Sequence, residues 1–393
     1  MPIEVNIKGR TVPIDEAVFR TLLDNSIAST YRDYDRTLET KTIKYEKLVD
    51  LARKGEIPYS LFFAPLPFVK AQVDIKTNKL LAGISKETFS IGSRERVPLR
   101  EIELIIKDLI RKQELVKKHD ASLVENKIVG MLNRIDASTD AVAASLSDAI
   151  GISSEMLLQC GTKEKALELL IERLEANQVL VSRSVPYYMP QRLKTNVRFS
   201  GMTIKDRKVP YIFLAGGEHG DHQEPVGRTI FTLALMAVLV ARSVFKPVTW
   251  DGESTDGDLG REYDIAGALL MPATKIKEMD LDSLDDFKAA SKGFKVTPSA
   301  LIVRAMHLRM ITVETAKLHL EDLRIEFEAI PKPPARSAIK PENAIRKYNG
   351  RELSSRMLAA LDAGSISEGE FCRSVCLNKL KPSEINDLRA ALR

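Results

Sequence analysis

Two neighbouring stretches decide the fold of this chain: RTIFTLALMAVLVAR at residues 228–242 and REYDIAGALLMP at residues 261–272. Between Ile230 and Ala241 the first stretch contains one polar residue, Thr232, and neither glycine nor proline. An apolar run of this length predicts a helix that is buried on nearly all sides. The run is too short to cross a bilayer, because a membrane-spanning helix needs about 20 apolar residues.

The two stretches together resemble the ImmA/IrrE family of zinc metallopeptidases. Members of that family have a phrase like R-x-F-T-L-A-H-E-x-x-H, and later a glutamate ahead of a phrase like F-A-A-x-L-L-M-P. Here Phe231–Ala234 match the start of the first phrase, and Leu269–Pro272 match the end of the second. The resemblance implies two histidine ligands one helical turn apart, the later glutamate as third ligand, and the glutamate of H-E-x-x-H as general base.

The residues that would perform this chemistry are replaced. Leu235 and Leu239 stand where the family has its two histidines, Met236 stands at the general base, and Arg261 stands at the third ligand. Leucine offers no donor, and a methionine thioether suits Cu(I) rather than Zn(II). Glu262 follows Arg261, so a shift of one residue would restore a single carboxylate, which does not hold catalytic zinc. We therefore predict a core helix, no metal or other cofactor, and no peptidase activity.

Size and composition indicate a globular protein of two or three domains. The chain has 393 residues, of which 44% are hydrophobic, and this is enough apolar material for a sizeable core. A formal net charge of +5 permits contact with nucleic acid without requiring it. The cysteines, Cys160, Cys372 and Cys376, favour a reducing compartment over a disulfide framework. We find neither a signal segment nor a membrane span, so we expect a cytoplasmic protein.

The N-terminal part contains one strand pattern and several helix patterns. Ile3–Ile7 alternates as a strand does, Thr42–Arg53 has helical spacing, and Pro58 begins a further helix that Pro65 ends. The last two helices, with the phrase from Pro58 to Pro67, are similar to the end of the XRE-type DNA-binding domain that precedes many ImmA/IrrE proteins.

Residues 24–41 lack the small-residue turn of a helix-turn-helix motif. Two interpretations stay open. The module is a structural remnant that packs or dimerises, or it keeps weak DNA contact through basic side chains. The candidate contacts are Arg32, Arg36, Lys41 and Lys44.

A helix is predicted from Pro98 to Leu115, where apolar residues recur every three or four positions. Charges of both signs are interleaved along it, and we interpret them as a solvated face rather than a DNA-binding stripe. These charged residues are Glu101, Glu103, Lys107, Asp108, Arg111, Lys112, Glu114, Lys117 and Lys118.

The segment before the apolar run predicts a helix followed by strands. Lys163–Asn177 is amphipathic, Val179–Val181 reads as a strand, and Val197–Ile204 with Tyr211–Leu214 reads as a strand pair. This order is what an ImmA/IrrE domain implies. The loop at residues 218–224 holds His219 and His222, but two histidines in a glycine-containing loop are a weak indication of metal binding, and the question stays open.

After the apolar run, Leu284–Lys292 reads as a helix, and Thr297 with Pro298 predicts the start of the next. The pair imitates a helix-turn-helix motif with Arg304 and Arg309 in its second helix, whereas the family resemblance places it in the second half of a peptidase domain. A basic, proline-rich linker follows. Its candidate contacts for an acidic partner or nucleic acid are Lys332, Arg336, Lys340, Arg346, Lys347 and Arg351.

The predicted fold class is α+β and mostly helical, in four parts. These are a degenerate XRE-like helical N-terminal module at residues 1–75 and a helical linker region at 76–152. A zincin-like ImmA/IrrE pseudo-metallopeptidase domain with a small β-sheet follows at 153–327, and a basic linker with a small helical C-terminal tail at 328–393.

The resemblance implies a non-catalytic regulator. Long XRE–ImmA/IrrE proteins are often partners of small toxins or of mobile-element regulators, so we expect an antitoxin that binds and neutralises a toxin such as a PIN-like nuclease, with autoregulation of transcription as a further implication. Two alternatives stay open: a DNA-binding repressor of a mobile element or phage, and an active metalloprotease with non-standard ligands. A homodimer is compatible with both the antitoxin and the repressor.

Overall fold

The computed structural model describes residues 2–24, 26–80, 101–133, 137–193, 199–216, 224–249, 260–329 and 339–393. The chain is mixed α/β and mostly helical, with two small sheets, which confirms the predicted class at this level. Among the helices in these ranges, none combines the length and the apolar character needed to cross a membrane.

The chain divides into two compact units. The first consists of Met1–Ser90, Glu95–Arg111 and Pro190–Val197, and the second of Ile91–Arg94, Lys112–Met189 and Arg198–Arg393.

The first unit combines a three-stranded sheet with helices. Its elements are β1 (Ile3–Ile7), β2 (Arg10–Ile14), α1 (Glu16–Leu23), α2 (Arg32–Thr40), β3 (Thr42–Lys44), α3 (Tyr45–Lys54) and α4 (Leu66–Leu80), with short 3-10 turns at Ile27–Thr30 and Tyr59–Phe63. The strand order is β2-β1-β3, with β2 antiparallel and β3 parallel to β1. In its core the ring of Phe19 lies 5.7 Å from that of Tyr34 and 6.0 Å from that of Phe62.

This sheet corrects the prediction of a helical module. Only β1 was expected, and Thr42–Lys44 was assigned to a helix. Lys41 has a left-handed backbone (φ 55) that ends α2, so the chain turns and the next three residues pair with β1. The helix expected between Pro58 and Pro65 is the 3-10 turn at Tyr59–Phe63, which ends before Pro65 as predicted. The carbonyl oxygen of Pro65 accepts from the N–H of Val69 (3.1 Å) at the start of α4.

The helix α5 (Glu103–His119) begins in the first unit and continues in the second. The charges on α5 and just before it correct the prediction of a solvated face, because five of them are buried. These are Glu101, Glu103, Lys107, Asp108 and Lys112. Lys107 Nζ lies 2.6 Å from a Glu103 carboxylate oxygen and donates to the carbonyl of Gly55 (3.3 Å), so pairing compensates for the lost solvation. The Lys112 ammonium lies 4.1 Å from the centre of the Tyr348 ring.

The second unit contains the other elements. They are α6 (Thr139–Ile150), α7 (Ser154–Gln159), α8 (Lys163–Ala176), β4 (Leu180–Arg183), β5 (Phe199–Ile204), β6 (Tyr211–Leu214), α9 (Val226–Ala241), β7 (Pro247–Thr249), α10 (Gly260–Leu270), α11 (Ala273–Lys277), α12 (Leu284–Gly293), α13 (Pro298–His307), α14 (Val313–Ala329), α15 (Pro341–Asn349), α16 (Arg351–Asp362), α17 (Glu368–Ser374) and α18 (Ile385–Leu392). The predicted succession of a helix, three strands and the apolar helix is confirmed as α8, β4, β5, β6 and α9.

The second sheet has the strand order β4-β6-β5-β7. β4 is parallel to β6, and β5 is antiparallel to both β6 and β7. The predicted pairing of β5 with β6 is confirmed, whereas the short edge strand β7 was not predicted. α9 packs against β5, β6, α8 and α10 and is therefore enclosed by the core of the unit.

The start of α13 is as predicted. Thr297 Oγ1 accepts from the N–H of Ala300 (3.3 Å), and Pro298 takes the first helical position. Arg304 is buried, donates to an Asp140 carboxylate oxygen (2.8 Å) and lies against the Met271 carbonyl (3.4 Å). This residue is therefore held inside the unit, which disfavours the helix-turn-helix interpretation of α12 and α13.

The predicted basic linker contains a packed helix. α15 buries Ala344, Ile345, Tyr348 and Asn349 and packs against β4. The prediction of a linker across residues 339–351 is therefore wrong. Proline and basic residues suggested a linker, but Pro341 occupies the first turn of a helix, where its missing N–H costs nothing.

Candidate functional site

The helix α9 places the candidate site positions in the core. It begins after Pro225 and ends at Ala241, and every residue from Leu233 to Ala241 is buried. Leu235, Met236 and Leu239 are each at most 1% exposed. The prediction that these three residues belong to a core helix is confirmed.

Met236 is fitted closely against the sheet. A Cβ atom added to Gly201 of β5 would lie 2.5 Å from Met236 Cε and closer still to the carbonyl oxygen of Phe213. Gly201 is next to the irregularity in the pairing of β5 with β7. Met236, which the resemblance places at the general base, therefore fills the space beside Gly201 that a larger residue at position 201 would occupy.

The resemblance places the third ligand at Arg261 or, with a shift of one residue, at Glu262, and these two neighbours have different environments. Arg261 is exposed at the start of α10, and Glu262 is buried. A Glu262 carboxylate oxygen lies 3.3 Å from Nε of Arg242, the residue that follows α9. The carboxylate that a one-residue shift would supply is thus paired with an arginine, and it ties α10 to the end of α9.

Metal-ligating side chains do not cluster in the part of the chain that the structure describes. Within those ranges no group of three or more His, Cys, Asp or Glu could hold an ion. Burial raises the pKa of the Cys376 thiol to about 12, so Cys376 is a poor source of thiolate. His219 and His222 lie outside the described residues, and whether their loop binds a metal stays an open question.

The N-terminal contact candidates do not form a uniformly basic face. Arg32 and Arg36 are exposed on α2, and Lys44 is exposed at the end of β3. α2 also carries Asp33, Asp35 and Glu39. Negative charge next to the arginines weakens attraction to phosphate groups.

Lys41 is engaged inside the first unit. Its ammonium lies 2.7 Å from a Glu16 carboxylate oxygen. Hydrogen bonds from Lys41 and Arg20 lower the pKa of Glu16 to about 2, so the Glu16 carboxylate stays ionised across the physiological range. This interaction holds the turn between α2 and β3 to α1.

The C-terminal candidate contacts lie in different environments. Lys332 and Arg336 lie outside the described residues, Lys340 is exposed, and Lys347 is half-buried with an interaction of its own. Arg346 donates to the carbonyl of Ala391 (2.7 Å), and Arg351 donates to those of Leu392 (2.9 and 2.6 Å) and Arg393 (3.0 Å). Arg346 and Arg351, two of the candidate partner contacts, bind the C-terminal end of α18, because cations stabilise helix C-termini. Their contact with a partner stays a prediction.

One buried acid was not predicted. Glu175, at the end of α8, accepts from the N–H groups of Arg351 (3.2 Å) and Glu352 (3.3 Å), the first residues of α16. Burial raises its pKa to about 8, against the effect of these hydrogen bonds. A side chain from α8 thus caps α16. No sequence pattern indicates this, because the two residues joined are far apart in the chain.

In comparisons with known proteins, no family model, no curated protein and no solved structure matches this chain. The likeness to ImmA/IrrE proteins therefore depends on the sequence phrases alone.

Proposed function

We propose that this chain is a non-catalytic, ImmA/IrrE-like regulatory protein that acts by binding a partner. One observation supports it most: Leu235, Met236 and Leu239, at the positions of the family's two histidines and its general base, are core residues at most 1% exposed. Catalytic zinc needs three protein ligands and an open position for water. Three enclosed apolar side chains provide neither.

We also propose that the two main domains have the folds that the resemblance implies. The succession α8, β4, β5, β6, α9 and α10 supports a zincin-like domain at residues 153–327. α3, the turn at Tyr59–Phe63 and α4 support a degenerate XRE-like module at residues 1–75, although that module also contains a sheet. A chain that keeps the sequence phrases of the packed scaffold but lacks the residues for catalysis is most simply explained as a protein that binds a partner.

The partner class follows from the resemblance. We propose an antitoxin that binds and neutralises a small toxin, such as a PIN-like nuclease, and regulates its own transcription. The alternative of a DNA-binding repressor has less support, because α2 mixes its arginines with acids and Arg304 is buried. The alternative of a metalloprotease would need ligands other than those of α9.

Co-expression with the product of the adjacent reading frame tests this function. We expect growth inhibited by that product to be restored, with a stable complex in which both chains keep their full length. A shortened partner, or loss of rescue on adding a zinc chelator, would indicate proteolysis and contradict the proposal. A chain with Met236→Leu, which keeps the core apolar, is the matched control and should rescue equally well.

A further inference from the structure

The segment Pro58–Ile75 of the first unit exposes four large apolar side chains within a short stretch of sequence. Tyr59, Phe63, Phe68 and Ile75 are each between 41 and 62% exposed. Pro58, Pro65 and Pro67 are exposed in the same segment. Isolated exposed apolar residues are ordinary, but a cluster of them indicates an interaction surface.

Helical spacing arranges part of this set as a stripe along α4. Phe68, Ala71, Gln72 and Ile75 are exposed and recur at intervals of three and four residues, which places them on one side of the helix. Val69 points the other way and is fully buried in the core of the unit. α4 therefore has an inward apolar face and an exposed side on which Phe68 and Ile75 are the large apolar residues. The exposed residues of Pro58–Ile75 are called the α4 surface below.

The charge of the α4 surface suits a second copy of itself. Pro58–Ile75 contains two charged residues, Lys70 and Asp74, and they cancel. In a two-fold pair the same patch meets itself, so a patch with a net charge repels its copy whereas a neutral one does not. α14 offers the contrast. It also exposes Leu318 and Ile325, but it carries five acids against two basic residues.

The exposed apolar side chains supply about half of the area that a standard dimer interface buries per partner. An aromatic or large aliphatic side chain has a surface of about 200 Å², so the four half-exposed side chains offer about 400 Å² per copy. A standard interface buries about 800 Å² per partner, and the prolines and the polar residues of α4 add to the apolar centre. We propose that the α4 surface binds the α4 surface of a second chain and forms a two-fold homodimer.

Sedimentation velocity of the full chain over a wide concentration range tests the dimer. We expect a dimer that dissociates on dilution and a melting temperature that rises with protein concentration, because association stabilises the folded state by mass action. Phe68→Glu and Ile75→Glu each place a charge at the centre of the interface and should raise the dissociation constant more than about tenfold. Leu318→Glu, at an exposed apolar site on α14, is the matched control and should leave it unchanged.

Three results would overturn the proposal: a wild-type chain that is monomeric throughout, a dimer that survives both α4 substitutions, or an equal weakening by Leu318→Glu. Phe68→Gln is the second variant, and it should weaken the dimer without introducing charge. Since neither the dimer nor its test involves the partner protein, failure of the proposed function would leave this result intact.

Discussion

Glu175 places a carboxyl group between three elements of the second unit. Its Oε2 atom accepts from the first two N–H groups of α16. A Cβ atom on Gly350 would lie against Glu175 Oε1 and 2.5 Å from the Val181 carbonyl oxygen of β4, so only glycine fits there. Glu175 therefore joins the end of α8 to the start of α16.

Protonation of Glu175 should affect stability. Its pKa is raised from 4.5 to about 8, so the folded state favours the neutral acid. The resulting stabilisation is complete below the ordinary pKa and is lost as the pH rises through about 8. We expect the free energy of unfolding, measured by denaturant titration, to fall between about pH 5 and about pH 9, and to fall less in Glu175→Gln.

The glutamine variant keeps an oxygen acceptor for α16 but does not titrate. Glu172→Gln, an exposed acid on the same helix, is the control and should keep the wild-type slope. If Glu175→Gln also keeps that slope, the pH dependence arises elsewhere and this assignment is wrong.

Single residues differ in how far the sequence determines their role. Leu235, Met236 and Leu239 could be placed in the core because they lie within an apolar run. Glu175 and Arg351 could not be placed, because their partners are distant in the chain and a charged residue carries no sign of which carbonyl or N–H it will meet.

At the scale of elements, α9 links the sheet to α8 and α10 and depends on apolar side chains along its length. Replacing Leu235→His, Met236→Glu and Leu239→His together would restore the family's motif. Each buried polar group without a partner costs about 1–3 kcal/mol. We therefore expect the triple variant to be strongly destabilised in the absence of zinc, as measured by thermal and denaturant unfolding.

The matched control keeps these positions apolar. Leu235→Met, Met236→Leu and Leu239→Met conserve volume approximately, and such exchanges usually cost less than about 1.5 kcal/mol each. A motif variant as stable as this control would mean that water reaches the helix, and the packing argument would fail.

Elements with a strong pattern of their own were predictable, and those that depend on a partner were not. α9 and the capped start of α13 follow from local sequence. β3 is three residues long and exists because β1 is beside it. α15 has a composition typical of a linker, yet four of its residues are buried and the helix packs against β4 and α18. The charges of α5 resemble a solvated face, and only the folded chain supplies the partners that allow their burial.

For the whole molecule, we propose a scaffold that resembles a metallopeptidase but lacks its metal chemistry. Two compact units, a filled site in the second and an apolar surface on the first are compatible with a protein that associates rather than cleaves. This proposal requires that the site cannot hold zinc. The apolar side chains of α9 and the pairing of Glu262 with Arg242 support that requirement.

Elemental analysis of the purified full chain, grown with added zinc and then dialysed, tests this claim most directly. The account predicts that zinc is far below stoichiometric, because Leu235, Met236 and Leu239 offer no suitable ligand. Stoichiometric zinc that survives dialysis and is lost in His219→Ala or His222→Ala would contradict it, and would place a metal centre in the loop before α9.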